Sequence, residues 1–286
     1  MNIVIVGLGV IGGSFAMGLK EAGYKNVFGV DVDEDTLTKA KSLGLIKEGC
    51  KTGESFFKEA DLTILAIYPK LVKKFIEDNK ENFKAGSVIT DATGIKEMFI
   101  KDIVEILPKN VDFVFGHPMA GREKKGIDFA TNDVFKGANY IITPIERNKK
   151  ENLDLVENIA LKMGFKRVRR ITPEFHDEMI GFTSQLPHAM AVALINSDEE
   201  GRDTGSFIGD SYRDLTRIAN INEELWSELF LGNKNNLLKA INNFELELDL
   251  IKKAIHDNDK EPPLPLLAVI REMYSKVFTA LLPFCP

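Results

Sequence analysis

A glycine-rich segment near the amino terminus has residue types and spacing that could bind phosphate groups. The run GLGVIG matches the GxGxxG pattern and lies between a β-branched run and a helical pattern. In such a segment Gly7 makes the tight turn, Gly9 lets a pyrophosphate approach the backbone, and Gly12 lets helix and strand pack closely. Val10 and Ile11 open the helix, whose N-terminus favours phosphate. These five residues are therefore predicted to contact a dinucleotide cofactor.

A carboxylate follows at the distance that ribose recognition requires. Asp31 ends a predicted strand and lies 19 positions after Gly12, near the ~20 residues typical of a side chain that holds the ribose 2′-hydroxyl. An acid there repels a 2′-phosphate, so NAD is favoured over NADP. The alternative is a chance glycine loop with a surface aspartate, but strand, loop, helix, strand and acid occur here in the required order.

One of the four histidines has an unusual backbone context. His117 lies between a glycine and a proline in the stretch FGHPMAGREKKGI. Glycine frees the backbone and proline fixes it, so neither a helix nor a strand is expected to run far here. Imidazole is the side chain whose charge changes near neutral pH. A ring held in this way is a candidate for proton chemistry, although a solvent-facing histidine in a turn is the commoner case.

The elements that must position these residues alternate between strands and helices. Apolar or β-branched runs predict strands at 2–6, 26–30, 62–67, 87–90, 111–115, 139–143 and 166–170, and helical spacing predicts helices at 70–82 and 96–107. In a doubly wound sheet, ligands gather at the carboxyl ends of the strands. Tyr68, Pro69 and Asp91 fall at such ends and are predicted cofactor contacts. His117 is predicted to lie on the same rim, where a bound nicotinamide would sit.

The second half of the chain has a helical pattern. Thr172 and Pro173 have the residue types of an N-cap and a first helical position, and helical spacing continues with little strand character to about His256. We therefore predict an α/β protein with an N-terminal Rossmann-type doubly wound sheet in residues 1–170. Residues 171–286 are predicted to form a C-terminal all-α domain. The apolar segment PHAMAVALI favours burial on more than one face, which indicates a homodimer through this domain.

Composition excludes several classes of protein. The 286 residues are 44% apolar and 28% charged, with a net charge of −6, which is typical of a soluble globular protein without a general nucleic-acid surface. No stretch approaches the length of a membrane span, and the amino terminus reads as a first strand rather than a signal peptide. Cys50 and Cys285 are too few for a disulfide framework or a metal cluster. Free thiols, no metal and a cytoplasmic location are expected.

Three further stretches occur together with the glycine fingerprint. They are HPMAG around His117, LPHA around His188, and DLTRIA around Arg217, followed by LW and NKNN. Together they resemble the prephenate dehydrogenase family, which includes arogenate and cyclohexadienyl dehydrogenases. The resemblance extends to about Lys253 and implies a Rossmann domain followed by an all-α dimerisation domain.

The resemblance implies a reaction and roles for particular residues. The expected reaction is NAD-dependent oxidative decarboxylation of prephenate to 4-hydroxyphenylpyruvate in tyrosine biosynthesis. His117 would hydrogen-bond and polarise the substrate hydroxyl, and Arg217 would bind a substrate carboxylate. His188 is either a substrate-pocket residue or a satisfied core histidine, since it lies on an apolar helix. Glu123 is a weaker candidate that would pair with a pocket arginine and gate entry, because a loop glutamate is generally just solvated.

Two positions depart from the pattern of the family. Gly94 stands where many members carry a serine that bridges the substrate hydroxyl, the nicotinamide and the histidine. Thr93 next to it, or a water molecule, is the candidate source of the missing hydroxyl. Gln185 stands where a histidine is common and can hydrogen-bond without titrating. Either change could shift the preference between prephenate and arogenate, which the sequence leaves open.

The remaining candidate residues have ordinary structural interpretations. Arg213 is expected in a surface or interhelix ion pair, and His176 and His256 are expected on the surface. Trp226 and Phe230 have core-like spacing, although Trp226 could wall the pocket. The tail at 261–286 is expected to be a docked amphipathic helix, a disordered segment or an exposed apolar one.

Alternatives to the main interpretation follow from the same features. One is a β-hydroxy acid dehydrogenase, although such enzymes usually depend on a catalytic lysine and lack HPMAG. Another is a non-catalytic NAD-binding regulator, which the glycine at position 94 slightly favours. No regulatory-sized C-terminal domain is expected, so tyrosine, if it inhibits, would act at or near the active site.

Overall fold

In this computed structural model of the chain, residues 1–121 and 124–256 are described, and they form one sheet flanked by helices. The strands are β1 Ile3–Val6, β2 Val27–Val30, β3 Glu48–Cys50, β4 Leu62–Leu65, β5 Val88–Asp91, β6 Asp112–Pro118, β7 Asn139–Thr143 and β8 Arg167–Arg170. The helices are α1 Val10–Glu21, α2 Glu34–Ser42, α3 Glu54–Phe57, α4 Pro69–Asn79, α5 Glu97–Ile106, α6 Lys150–Lys162, α7 Pro173–Ile180, α8 Leu186–Asn196, α9 Asp210–Thr216, α10 Glu223–Gly232 and α11 Lys234–His256.

The strand order defines where a ligand can bind. The order is β3-β2-β1-β4-β5-β6-β7-β8, and strands β1 to β6 are parallel. Strand β7 runs antiparallel to β6, and β8 runs parallel to β7. The chain leaves β1 in opposite directions toward β2 and β4, so the order reverses at β1. This is the switch point at which doubly wound sheets bind ligands, and it confirms the predicted fold class.

Alternation of side chains explains why the first strand is buried on both faces. Ile3 and Ile5 belong to one apolar cluster, and Val4 and Val6 belong to the cluster on the opposite face. Successive strand residues point to opposite faces, so a run of four apolar residues fits only a sheet that is covered on both sides. Helices on both faces of this sheet supply the cover.

The helical part begins as the sequence predicts. The Thr172 side chain accepts a hydrogen bond from the backbone N–H of Phe175, and Pro173 occupies the first helical position of α7. A π-helical turn at Gly181–Gln185 joins α7 directly to α8. Such turns often mark functional positions. Pro187 in the first turn of α8 cannot donate a backbone hydrogen bond, which is consistent with a widened turn just before it.

The strand that carries His117 differs from the prediction. β6 does not end at Phe115 but continues through Pro118, because β7 supplies an antiparallel partner for residues 115–118. His117 therefore lies in a strand opposite Ile141 and not in a turn. Pro118 is the last residue of this strand, a position where its missing N–H costs little. The short strand β3 was not predicted, since its sequence EGC contains no apolar run.

The chain divides into two compact units, residues 1–236 and 237–286. The first contains the sheet and helices α1 to α10, and the described part of the second is the remainder of α11. The domain boundary near Ile171 stays a prediction. No helix of the described residues is long and apolar enough to cross a membrane. Glu123, Cys285 and the tail at 261–286 lie outside the described residues, whereas Cys50 has a free thiol.

Candidate active site

The glycine segment between β1 and α1 is closely packed at Gly7 and Gly12 and open at Gly9. A β-carbon at Gly12 would overlap the carbonyl oxygen of Gly7, and one at Gly7 would lie 2.5 Å from the carbonyl oxygen of Ala66. Gly7 also has a φ angle of +83°. By contrast, no described atom lies within 4 Å of the place where a β-carbon of Gly9 would stand. With α1 starting at Val10, this geometry fits a dinucleotide pyrophosphate.

The carboxylate of Asp31 is hydrogen-bonded to the backbone of the glycine segment. Its Oδ2 accepts a hydrogen bond of 2.7 Å from the backbone N–H of Leu8, and its Oδ1 accepts one of 2.9 Å from the N–H of Asp33. Asp31 follows directly on β2, which neighbours β1 in the sheet. The acid is thus held at the strand end where a ribose hydroxyl is expected, which fits NAD.

The end of β4 carries two predicted cofactor residues and contacts the helical part. Pro69 is the first residue of α4. The hydroxyl of Tyr68 accepts a hydrogen bond of 2.8 Å from the Asn222 side chain, which caps α10. The backbone N–H of Lys70 donates to the Glu228 carboxylate at 3.0 Å. Helix α10 therefore rests on the start of α4, at the rim of the sheet.

A buried ion pair lies at the end of β5. Lys96 and Asp91 are both fully buried, and their Nζ–Oδ2 distance is 2.6 Å. The same Nζ contacts the carbonyl oxygens of Gly116 at 2.6 Å and Thr93 at 2.9 Å. Burial lowers the pKa of Lys96, and the charge of Asp91 opposes that shift. Asp91 is thus an internal anchor for the loop at residues 92–96, and its predicted role as a cofactor contact stays a prediction.

The Thr93 hydroxyl is hydrogen-bonded to both members of this ion pair. It donates to the Asp91 carboxylate and accepts from Nζ of Lys96 at 2.9 Å, and the residue is buried. Its placement therefore gives no support to the prediction that Thr93 supplies a hydroxyl to the histidine.

The imidazole of His117 is hydrogen-bonded to a second imidazole. Its Nδ1 lies 2.9 Å from Nε2 of His176, and Nδ1 of His176 lies 2.6 Å from Oδ1 of Asp177. His117 is half-buried, whereas His176 and Asp177 are each 1% exposed. The expectation that His176 lies on the surface is wrong. It faces β6 because the pattern of α7 buries residues 176, 177 and 180 on one side of the helix.

Asp177 also joins the helical part to the nucleotide-binding part. Its carboxylate accepts backbone hydrogen bonds from Lys96 at 2.9 Å and from Glu97 at 2.8 Å. Glu97 is the first residue of α5. The N-terminus of a helix offers unpaired N–H groups and a positive dipole end, so this helix start stabilises the ionised carboxylate.

The surroundings keep both imidazoles neutral. Burial lowers the pKa of His117 well below its usual value of 6.5, and His176 and Lys96 add to that shift. Burial also lowers the pKa of His176, although its hydrogen bond to Asp177 acts in the opposite direction. A neutral ring has one nitrogen that can accept a proton.

The other ring nitrogen of His117 faces Gly94. A β-carbon at Gly94 would lie 3.8 Å from Nε2 of His117 and 3.2 Å from Cδ2 of Leu229. The backbone of Gly116, directly before the histidine, packs against Tyr140. A β-carbon there would overlap the Tyr140 hydroxyl, which explains the glycine of GHP.

Helix α10 carries an aromatic side chain to His188. The ring centroids of His188 and Trp226 are 3.7 Å apart, and Trp226 meets Phe230 edge-on at 5.4 Å. All three residues are half-buried. Nδ1 of His188 lies 2.8 Å from the carbonyl oxygen of Ser184, in the π-helical turn. His188 is thus neither a fully buried core residue nor a surface one.

Gln185 is buried and bonded at both ends of its amide. Its Nε2 donates to the carbonyl oxygen of Leu229 at 2.8 Å, and its Oε1 accepts from the Asn233 side chain at 2.9 Å. Asn233 also donates to the carbonyl oxygen of Asp177 at 2.8 Å. These bonds fix the end of α10 to α7. They give no support to the prediction that Gln185 contacts a substrate.

The two arginines of the GDSYRDLTRIA stretch lie in α9 and just after it. Arg213 forms an exposed ion pair with Asp210 at 2.6 Å, so the expected surface pair is confirmed. Arg217 is also exposed and begins a short 3-10 turn at 217–219. Its role toward a substrate carboxylate stays a prediction.

Three residues of the site escaped the sequence interpretation: Lys96, His176 and Asp177. The signal for the last two was the helical spacing of α7, in which Ile180 lies four residues after His176 on the buried side. Lys96 follows Asp91 by five positions, and nothing in that spacing indicates a buried pair. Within residues 1–121 and 124–256, no group of three or more His, Cys, Asp or Glu side chains could hold a metal ion.

The arrangement is the one expected of a dinucleotide-dependent dehydrogenase: a phosphate-binding glycine segment and an uncharged imidazole at the same edge of a doubly wound sheet. Comparison with known families is consistent with this class. Residues 15–169 match the family described as "Prephenate dehydrogenase, nucleotide-binding domain", and residues 172–272 match "Prephenate dehydrogenase, dimerization domain". The chain belongs to the prephenate dehydrogenase family.

Individual relatives match over most of the chain. A prephenate dehydrogenase of Bacillus subtilis (strain 168) is 29% identical over 266 residues, which cover 91% of this chain and 71% of the relative. The crystal structure of prephenate dehydrogenase from Aquifex aeolicus in complex with hydroxyphenyl propionate and NAD⁺ is 32% identical. Its TM-score is 0.88, and 98% of each chain is covered. The structure of Synechocystis arogenate dehydrogenase is 26% identical, with a TM-score of 0.81 and coverage of 98% and 100%.

Proposed function

We propose that this chain is an NAD-dependent prephenate dehydrogenase that converts prephenate to 4-hydroxyphenylpyruvate in tyrosine biosynthesis. The observation that carries the proposal is the position of His117, whose Nε2 faces Gly94 at the carboxyl ends of β5 and β6. The glycine segment lies at the same edge of the sheet, after β1. Both family matches and the prephenate dehydrogenases among the relatives support the same activity.

The chain's own residues have to align the substrate and handle one proton. NAD⁺, when bound, supplies the hydride acceptor. Nε2 of His117 accepts a hydrogen bond from the C4 hydroxyl of the substrate and takes its proton as the C4 hydrogen departs as hydride. When the ring carboxylate leaves as CO₂, its electron pair moves through the ring to the oxygen, which takes the proton back. Aromatisation drives the reaction, and no net proton is released.

Two cationic or polar side chains are the candidates for binding the dianionic substrate. Arg217 offers a guanidinium fork that matches a carboxylate, and it is exposed on the turn after α9. His188, stacked on Trp226, offers a polar ring edge on α8. Glu123 remains a candidate for gating entry. These roles, like those of the cofactor contacts Tyr68 and Pro69, are part of the proposal.

Arogenate is the alternative substrate for the same chemistry. The similarity to Synechocystis arogenate dehydrogenase extends over nearly the whole chain, and the two substrates differ only in a side chain that carries an amino group in arogenate. The A. aeolicus enzyme was crystallised with hydroxyphenyl propionate. That molecule is a phenol with a carboxylate side chain, which is the shape of the product of the prephenate reaction. Prephenate is placed first because the relatives from Bacillus subtilis and A. aeolicus are named as prephenate dehydrogenases.

Further properties belong to the same proposal. A homodimer through the helical part is supported by the family description of residues 172–272. A cytoplasmic location and inhibition by tyrosine at or near the active site also stay proposals.

A side-by-side assay tests the function. NADH formation is followed at 340 nm with prephenate or arogenate and with NAD⁺ or NADP⁺, and a β-hydroxy acid serves as the negative control. We expect turnover with prephenate and NAD⁺. The variant His117→Asn should retain NAD⁺ binding and lose at least about a hundredfold in kcat. Tight NAD⁺ binding without turnover on either substrate would instead support a non-catalytic regulator.

A further inference from the structure

Three side chains from two parts of the chain form one line of hydrogen bonds, which we call the His117–His176–Asp177 relay. We propose that His176 and Asp177 are positioning residues that hold His117 in the tautomer whose Nε2 can take the substrate proton. This role rests on the proposed function. His117 comes from the sheet, whereas His176 and Asp177 come from α7, 59 and 60 positions later.

The relay begins at Asp177, whose hydrogen-bond partners favour the ionised carboxylate. Asp177 accepts hydrogen bonds from the backbone N–H groups of Lys96 and Glu97 at 2.9 and 2.8 Å. Backbone N–H groups can only donate, and a helix N-terminus stabilises negative charge. Asp177 is therefore a carboxylate, and the third contact, to Nδ1 of His176 at 2.6 Å, requires a proton on that nitrogen.

The direction of the remaining hydrogen bond follows from this start. A neutral His176 with its proton on Nδ1 has a lone pair on Nε2. It therefore accepts the hydrogen bond from Nδ1 of His117 across 2.9 Å. The proton of a neutral His117 then sits on Nδ1, and its Nε2, the nitrogen that faces Gly94, holds a lone pair. If the relay ran the other way, Nε2 would carry a proton and could not act as a base.

The charges around the relay act on His176 in opposite directions, and burial decides the direction of its pKa shift. The charged and titratable groups that act on it are Lys96, Asp91 and Glu97. Lys96 disfavours a second positive charge on either ring, and burial does the same. Asp91, which is paired with Lys96, and Asp177 raise the pKa of His176, but burial outweighs them. Both rings are therefore neutral in the resting protein, and Asp177 stabilises the charge that develops when His117 takes a proton.

Asp177→Asn tests the relay because the side chain keeps its shape, while the atom that faces His176 changes from a hydrogen-bond acceptor to a donor. The amide oxygen must accept from the N–H groups of α5, so its NH₂ group faces Nδ1 of His176. The proton of His176 then moves to Nε2, which donates to His117 and places the proton of His117 on Nε2. We expect a fall in kcat of about a hundredfold or more, with NAD⁺ affinity within about twofold. Glu174→Gln, the same charge change at an exposed site of α7, is the matched control.

Tautomers are read directly by NMR with ¹⁵N-labelled histidine, since the chain contains only four histidines and His117→Asn assigns one of them. We expect an unprotonated Nε2 on His117 in the parent protein and a protonated one in Asp177→Asn. A protonated Nε2 in the parent, or an unchanged tautomer and kcat in the variant, would overturn the proposal.

A second pair of variants serves if Asp177→Asn does not fold. His176→Gln places an amide oxygen near the former Nε2 and can still accept from His117, so kcat should stay within about tenfold of the parent. In His176→Leu the side chain cannot accept a hydrogen bond from His117. This variant should lose both the Nδ1-protonated tautomer of His117 and the dehydrogenase activity. Equal tautomer and kcat in both variants would overturn the relay. The NMR readout needs no substrate, so the absence of any dehydrogenase turnover would count against the proposed function alone.

Discussion

Two neutral imidazoles at the centre of the site make a residue-scale prediction about stability. His117 and His176 have folded-state pKa values below 6.5 because of burial, whereas the unfolded chain titrates near 6.5. Below pH 6.5 the unfolded state therefore binds more protons than the folded state. The free energy of unfolding is at its full value above pH 6.5 and falls as pH falls toward the folded-state pKa values. Each ring contributes at most about 1.4 kcal/mol per pH unit.

The measurement is urea unfolding of the parent and of His176→Gln between pH 7.5 and pH 5.5. The parent should lose more unfolding free energy on acidification than the variant, which lacks one of the two rings. Parallel losses in both proteins would mean that His176 is not held neutral in the fold.

Gly94 makes a second residue-scale prediction. A β-carbon there lies 3.2 Å from Cδ2 of Leu229 and 3.8 Å from Nε2 of His117, so a small side chain fits if Leu229 shifts by a few tenths of an ångström. Gly94→Ser should change kcat/KM by less than about tenfold. Gly94→Val places branched methyl groups beside the base and displaces the substrate, which should cost about a hundredfold.

Steady-state kinetics of both variants, with circular dichroism to verify folding, provide the test. A valine variant with parental kcat/KM would show that the substrate hydroxyl does not approach His117 on the side of Gly94.

The sequence was informative for residues whose chemistry is local. The glycine segment and Asp31 belong to one strand–helix–strand unit. Their separation along the chain therefore predicts how close they lie in the fold. The relay contacts span 59 residues between His117 and His176 and 80 between Glu97 and Asp177. Such contacts depend on how α7 packs on the sheet, and no local pattern encodes that packing. The resemblance singles out Gly94, but its contact with Leu229 depends on how α10 packs and is not encoded in the local sequence.

At the scale of elements, α10 connects the rim of the sheet with the candidate substrate residues. Asn222 at its start contacts Tyr68, and Glu228 in its middle pairs with Lys70. Its end packs so closely that a β-carbon at Gly232 would overlap Ile95. Trp226 and Leu229, which face His188 and Gly94, lie between these anchors. The position of this helix therefore sets the width of the site.

Removing the contact between Glu228 and Lys70 should weaken substrate binding. Glu228 is 14% exposed and pairs with Lys70 at 3.1 Å, so Glu228→Ala removes a partly buried contact of about 1 kcal/mol. We expect KM for prephenate to rise by about fivefold, with kcat less affected.

The matched control is Lys73→Ala. This variant breaks an exposed pair between α4 and α5, Lys73 with Asp102 at 2.8 Å, and does not touch α10. Its KM should equal that of the parent. A KM shift of the same size in both variants would point to a general effect on α4, not to positioning by α10.

Element prediction succeeded where burial leaves a clear pattern. The strands near the centre of the sheet have short apolar runs covered on both faces, and β7 was found at its observed limits, Asn139–Thr143. β3 lies at the sheet edge and has two exposed residues, Glu48 and Gly49. The extension of β6 to Pro118 depends on its pairing with β7. Neither feature is encoded in the segment itself.

At the scale of the whole molecule, the helical part exposes large apolar side chains. Phe207 is 85% exposed, Leu231 is 73% exposed, and Phe182 and Leu215 are each about 60% exposed. Exposed apolar groups of this size concentrated in one part of a chain indicate an interaction surface. The family description of the same region as a dimerization domain makes a second copy of the chain the expected partner.

Phe207→Asp combined with Leu215→Asp should weaken that dimer. A carboxylate enclosed in an apolar interface loses hydration without a partner, so the dimer dissociation constant should rise at least tenfold, or about 1.4 kcal/mol. Light scattering coupled to size exclusion should give twice the 32.0 kDa chain mass for the parent and a concentration-dependent lower mass for the variant.

Leu43→Asp, at an exposed apolar site after α2, is the control and should remain dimeric. A double variant that stays dimeric at every concentration would place the interface elsewhere on the chain.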